Sequence, residues 1–192
     1  MGRWEPNAQA RLRQAAMELY AERGFDRTTV AEIAERAGLT ERTFFRHFAD
    51  KREVLFAGSS PLQELLVTST ASAAPEVGPG VAVAAAFEKA AAEYFPPVEY
   101  SRQRQRVIDA NPALQERELA KLDRVAAALA GALRARGVDG PTAALTGESG
   151  VAAFKVAFVR WITDPADRPL LGHVRTAFAG LGDVWAFAPT RN

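Results

Sequence analysis

Cysteine is absent from the chain, which excludes a disulfide framework and a thiolate metal site. Histidine is nearly absent. The two that occur, His47 and His173, lie far apart in sequence, so neither a Ser-His-Asp arrangement nor a helical zinc pair of the HExxH kind is indicated. The dinucleotide-binding glycine pattern and the Walker A lysine loop are also missing, and Glu148 and Asp109 are isolated carboxylates. These absences point away from an enzyme and require no cofactor and no metal. No apolar run approaches the ~20 residues that a membrane span needs. The opening stretch MGRWEPNAQARLR lacks the hydrophobic core of a signal peptide. The expectation is a cytoplasmic protein with no membrane partner. An excess of positive charge is missing too, the formal net charge being +1. Non-specific attraction to nucleic-acid phosphates should therefore be modest and steeply salt-dependent, and any specificity for DNA has to come from local geometry.

What is present is apolar material. Hydrophobic residues make up 48% of the 192 positions, which excludes a disordered chain and suffices for a small head plus a larger body. The organising stretch is residues 28–52, TTVAEIAERAGLTERTFFRHFADKR. Val30, Ile33, Ala34 and Ala37 share one helical face. Gly38 can take the left-handed conformation that ends a helix. Leu39 then returns to the core, and Thr40 can cap a second helix. Phe44 and Phe48, at i and i+4, face inward, and Ala34 is small enough for two closely joined helices to cross. The outward face of the second helix carries Glu41, Arg42, Thr43, Phe45, Arg46 and His47, groups suited to base edges and phosphates. One interpretation is a helix-turn-helix entering a DNA major groove. The other is a solvated αα-hairpin with no partner. An outward Phe45 beside Arg46 and His47 favours DNA, because a purely solvated face seldom needs an aromatic.

The remaining periodicity is helical throughout. Residues 8–23 form a first helix with Leu12, Ala15, Ala16, Leu19 and Tyr20 inward, closed by Gly24. Arg3, Arg11 and Arg13 either reach phosphates or are plain surface charge. A helix capped by Asp50 runs through Val54, Leu55 and Phe56 into Gly58, Ser59, Ser60 and Pro61, where it either kinks or restarts with Ser60 as cap and Pro61 as first residue. Helices follow over 62–74 and 81–95, separated by the loop PEVGPG. Residues 98–110 place Arg102 and Arg106 on one face and Arg104 on another. Asn111 and Pro112 start a helix that runs to about Arg136 with a core seam of Leu119, Leu122, Ala126, Leu129 and Leu133. Residues 141–163 are apolar nearly all round and should be buried on every side. A last helix over 168–187 carries Leu171, Val174, Phe178, Leu181 and Trp185. Two such terminal helices, paired with their copies about a two-fold axis, give a four-helix dimer interface. His173 lies near that stripe.

Three features resemble the tetracycline-repressor family of bacterial transcription regulators: a leading helix ending AMELYAERGFDRTTV, the stretch IAERAGLTERTFFRHFADK, and an all-helical remainder in a chain of about 190 residues. The specific part covers roughly residues 10–56. The resemblance implies a homodimeric repressor that leaves its near-palindromic operator when a small molecule binds the C-terminal domain. It places Thr29 near a phosphate at the start of helix 2, and Thr40, Glu41, Arg42 and Thr43 at the start of the recognition helix. Phe45, Arg46 and His47 would point at DNA. Phe45 stands where the family commonly has tyrosine, so a hydroxyl bond to phosphate is lost. Lys51 would hold a phosphate. Arg42 and Arg46 are the candidates for guanine, since a guanidinium can pair with O6 and N7 together. An uninterrupted connecting helix, usual in the family, is broken here at residues 58–61.

The expected architecture is all-α: a three-helix DNA-binding head with a helix-turn-helix over residues 1–50, and a larger ligand-binding and dimerisation domain over 51–192. Candidate ligand contacts are Phe87, Tyr94, Tyr100, Arg102, Arg106, Phe154, Phe158 and Trp161. The competing interpretation is that the aromatics fill the core and that the arginines form a solvated face pairing with Glu99, Asp109 or Glu116. Candidate dimer contacts are Phe178, Leu181 and Trp185. The expected partners are a double-stranded DNA operator, a small-molecule effector and a second copy of the chain. The alternative is a small-molecule-binding or interaction module without sequence-specific DNA binding.

Overall fold

A computed structural model describes residues 7–184, which form ten helices and no strand. They divide into two compact units. One comprises the residues up to Ser59 together with Tyr100–Glu118, the other Ser60–Glu99 with the residues from Leu119 on. The first unit thus reaches beyond the expected head of residues 1–50 and includes a segment from the middle of the chain.

In the first unit, α1 (Ala8–Arg23) buries Leu12, Ala15, Ala16, Leu19 and Tyr20, as its spacing predicts, and Met17 as well. Helices α2 (Val30–Arg36) and α3 (Glu41–His47) pack on it and on each other. The short α4 (Glu53–Phe56) buries Val54, Leu55 and Phe56. Asp50 precedes it as a cap, its Oδ1 accepting from the N–H groups of Arg52 and Glu53 at 2.8 and 3.0 Å. From α7 (Val98–Asp109) and the start of α8 (Pro112–Ala135) come Val107, Ile108 and Leu114, which join Leu12, Leu19, Ile33, Phe44 and Val54 in one core. Arg104 fastens this segment, with Nε donating to the Leu55 carbonyl at 2.7 Å and Nη2 to Glu118 at 2.8 Å. Arg117 pairs with Glu53. Helix α8 starts at Pro112, and Asn111 before it turns its side-chain amide back onto the Val107 carbonyl at 2.6 Å.

The second unit contains α5 (Ser59–Ala71), α6 (Pro79–Glu93), most of α8, α9 (Gly140–Thr163) and α10 (Leu170–Val184). The chain restarts its helix at Ser59, and Pro61 falls in the first turn of α5, where its missing N–H costs no intrahelical bond. Between the alternatives of kink and restart the structure takes the restart, but its first helical residue is Ser59, two before the expected Pro61, so Ser60 lies inside the helix and does not cap it. Helices α6, α9 and α10 pack on one another, around Val83, Phe87, Leu129, Leu133, Val151, Phe154, Trp161 and Val174. Gly147 lets α9 approach α8 closely, since a Cβ there would lie 2.5 Å from the Ala126 carbonyl oxygen. Asp164, buried in the turn after α9, accepts from Arg168 Nε at 2.7 Å, the Ala166 N–H at 3.0 Å and pairs with His173 Nε2 at 3.0 Å.

Two expectations are corrected. Leu119, assigned to the core seam of α8, is 52% exposed. Helix α9 is not buried all round within the chain: Leu145, Val156 and Val159 are 69%, 49% and 55% exposed along one side. The reason is that α6, α8 and α10 cover only part of its circumference.

Candidate nucleic-acid interface

Helix α2 is short, and isolated helices of that length are marginal, so its ends carry the burden. Thr29 caps it, its hydroxyl accepting from the Glu32 N–H at 3.2 Å while Glu32 Oε2 accepts from the Thr29 N–H at 2.9 Å. This is a reciprocal capping box, and its sequence signature is Thr29-x-x-Glu32. The Thr29 N–H, then the Thr29 hydroxyl donating to the same Oε2 at 3.0 Å, and after them Arg23 at 2.6 Å, hold the Glu32 carboxyl below its ordinary range. Arg36 forks onto both oxygens of Glu22, each at 2.8 Å, and holds that carboxyl low as well. These bonds tie α2 to α1.

The turn closes with two bonds, Leu39 N–H to the Ala34 carbonyl at 2.8 Å and Gly38 N–H to the Glu35 carbonyl at 2.9 Å, the pair that defines a Schellman ending. It requires a left-handed residue at position 38, and Gly38 has φ 64°. Arg11 donates to the carbonyls of Ala37 and Gly38, so this arginine is occupied with the turn. Arg13 donates to the Tyr100 hydroxyl at 3.2 Å. Arg3 lies outside the described residues.

Thr40 caps α3 by accepting from the Thr43 N–H at 3.2 Å, and the two hydroxyls are 3.1 Å apart. Phe44 and Phe48 are buried, as expected. Opposite them Thr40, Glu41, Arg42, Phe45 and Arg46 are exposed, as is Thr29, while Thr43 and His47 are half-buried. The Phe45 ring, 55% exposed, stands edge-on to Phe44 with centroids 5.6 Å apart. Neither the Arg42 nor the Arg46 guanidinium finds a partner among the described residues. Lys51 differs from these. Its ammonium donates to the carbonyls of Phe25, Asp26 and Thr28.

The candidate ligand residues fall into two groups. Phe87, Tyr94, Phe154, Phe158 and Trp161 belong to the second unit, where Phe87 stacks on Phe154 at 5.0 Å and Phe158 meets Trp161 at 5.6 Å. Phe95 touches Tyr94, Phe154, Phe158 and Trp161 and is the hub of this cluster. Tyr100, Arg102 and Arg106 belong to the first unit. There Arg106 borders an open groove of about 630 Å³ with Arg23, Phe25, Arg27 and Val107. Of the candidate dimer contacts, Phe178 packs on Phe87 of its own chain at 5.7 Å, Leu181 is half-buried, and Trp185 lies outside the described residues. No helix among the described residues is long and apolar enough to cross a membrane.

Residues 12–57 match the family model described as bacterial regulatory proteins, tetR family. The chain is 41% identical over 58 residues to the HTH-type transcriptional regulator TcmR of Streptomyces glaucescens, which is 30% of this chain and 26% of that protein. It is 43% identical over 47 residues to the uncharacterized HTH-type transcriptional regulator YvkB of Bacillus subtilis, 24% and 25% of the two chains. The matched segment is thus about a quarter of the length of these relatives. Over the whole fold, the chain resembles SmeT, the repressor of the Stenotrophomonas maltophilia multidrug efflux pump SmeDEF, with a TM-score of 0.61 at 20% identity, covering 92% of this chain and 89% of that one. It also resembles Thermus thermophilus FadR in complex with lauroyl-CoA, with a TM-score of 0.55 at 23% identity, covering 96% and 99%. At that identity the likeness is one of fold. Over residues 12–57, about a quarter of its length, the chain is thus similar to the tetR family of bacterial regulatory proteins.

Proposed function

We propose that the chain is a homodimeric transcriptional regulator, a repressor released from a near-palindromic operator by a small molecule. The observation that carries this reading is the outward face of α3, where Arg42, Phe45 and Arg46 are exposed on a helix fixed from behind by Phe44 and Phe48. Two unpartnered guanidinium groups one turn apart suit guanine edges. Thr29 and Thr40, at helix starts, suit phosphates, with Glu41, Thr43 and His47 lining the same approach. The half-sites would lie about one helical turn, or a multiple, apart.

The second copy would cover the exposed side of α9, where Leu145, Val156 and Val159 stand, with Leu181 of α10 beside it. The effector would enter the second unit, against the aromatic cluster centred on Phe95. It would bind best when the two heads are held at the wrong separation, and by linkage would weaken DNA binding by the factor that DNA weakens its own.

Selection of bound fragments from genomic DNA at moderate salt tests the reading. The expected result is enrichment of one near-palindrome. Enrichment of nothing, with binding that fades smoothly as salt rises, would reduce the chain to a small-molecule-binding or interaction module without sequence-specific DNA binding.

A further inference from the structure

The family pattern assigns Lys51 to a phosphate, yet its ammonium faces the protein. Nζ donates to the carbonyls of Phe25 at 2.9 Å, Asp26 at 3.2 Å and Thr28 at 2.9 Å. A lysine ammonium has three donors and no acceptor, so the three carbonyls use all of it. Nζ also lies 4.5 Å from the centre of the Phe25 ring, on the face that attracts a cation. The backbone of Lys51 is held in turn, its carbonyl accepting from the buried Tyr20 hydroxyl at 2.7 Å. Thr28, also buried, bonds the Gly24 carbonyl at 2.9 Å. The loop between α1 and α2 has no helix to satisfy its carbonyls, and a cation from the start of α4 gathers them. The next residue, Thr29, is the cap of α2.

We propose that Lys51 is a positioning residue for DNA binding rather than a phosphate contact. Its ammonium holds residues 25–28 in the shape that presents Arg27, Thr29 and the start of α2, and locks that end of α2 to the turn before α4. The inference rests on the DNA-binding reading above.

Two measurements test it. The first is competitive acetylation of the wild-type chain by acetic anhydride, with exposed Lys89 of α6 as reference. Lys51 is expected to react much more slowly than Lys89 in the free protein, and DNA is expected to leave its rate unchanged. A Lys51 that reacts like Lys89 when free and becomes protected on DNA overturns the proposal. The second is the salt dependence of operator binding by Lys51→Arg and Lys51→Gln, held below their unfolding transitions. A planar guanidinium keeps the charge but cannot reproduce three pyramidal donors. Both variants are therefore expected to lose affinity roughly tenfold or more, with the slope of log K against log salt unchanged. A phosphate contact gives the opposite pattern: the Arg variant binds as wild type, and the Gln variant loses about 0.9 of slope. A wild-type chain that selects no operator removes the DNA-binding reading and the positioning role with it, and slow acetylation then reports the carbonyl cage alone.

Discussion

Arg11 and Gly38 share one corner of the head. The Arg11 guanidinium bonds the carbonyls of Ala37 and Gly38, and its Nη2 lies 2.8 Å from where a Cβ on Gly38 would fall. Gly38→Ala therefore meets two costs, a left-handed backbone that disfavours any side chain by about 1–2 kcal/mol and the arginine behind it. Urea unfolding should show a loss of at least that order. In an Arg11→Ala background the same substitution should cost less, because the steric part is gone. Equal losses in both backgrounds would mean that only the backbone conformation matters.

On α3, Arg46→Ala should cost about 1–3 kcal/mol at the matched base and relax the preference there. The assay is binding to the selected operator and to variants at each position. Equal loss on operator and random DNA would demote Arg46 to a backbone contact.

The proposed dimer makes α9 the place to perturb. Val159→Glu adds charge to an exposed position, so the chain should fold with little change. Light scattering should nevertheless report monomers, and operator binding should fall. An unchanged mass would refute that interface. Phe178→Glu is the poorer probe, because Phe178 packs on Phe87 within the chain and its replacement would damage the core as well.

The Asp164 carboxyl is held well below its ordinary range, chiefly by the Arg168 guanidinium and then by the Ala166 N–H. A depressed folded value contributes stability above the unfolded value of about 3.9, and that stability is lost as pH falls below it. Asp164→Asn should lower the thermal midpoint at neutral pH. The gap to wild type should close as the solution is acidified below pH 4. A gap constant with pH would show that the ionised form is not what stabilises the turn.

The head was the most legible part of the sequence, because its signals are local. Gly38, Thr40, Phe44 and Phe48 specify a turn and a face within a dozen residues, and each stands where the spacing put it. Lys51 was harder to interpret, since its partners lie some twenty-five residues earlier and are backbone carbonyls, which no side-chain pattern announces. Gly147 carries no local signal for a similar reason. Its smallness answers to Ala126 on another helix. The exposure of Leu145, Val156 and Val159 could not come from periodicity either, since an apolar face reads alike whether its cover is the same chain or another. Of the candidate ligand residues, Phe87, Tyr94, Phe154, Phe158 and Trp161 share one aromatic cluster around Phe95. Tyr100, an aromatic of the same kind, and Arg102 and Arg106, a basic pair at i and i+4, belong to a different unit.

The core shared by Leu12, Phe44, Val54, Ile108 and Leu114 has a consequence for how the molecule is made. A ribosome that has released the first 59 residues has delivered α1 to α4, but not Val107, Ile108 and Leu114, which are buried in the same core. At about 5–20 residues per second, the roughly 55 residues still needed to reach Leu114 delay that completion by roughly 3–11 seconds. Until then the apolar side of α1 and α4 is partly uncovered, and the surface that would read DNA rests on an unfinished foundation. An excised N-terminal fragment would stay in that condition permanently.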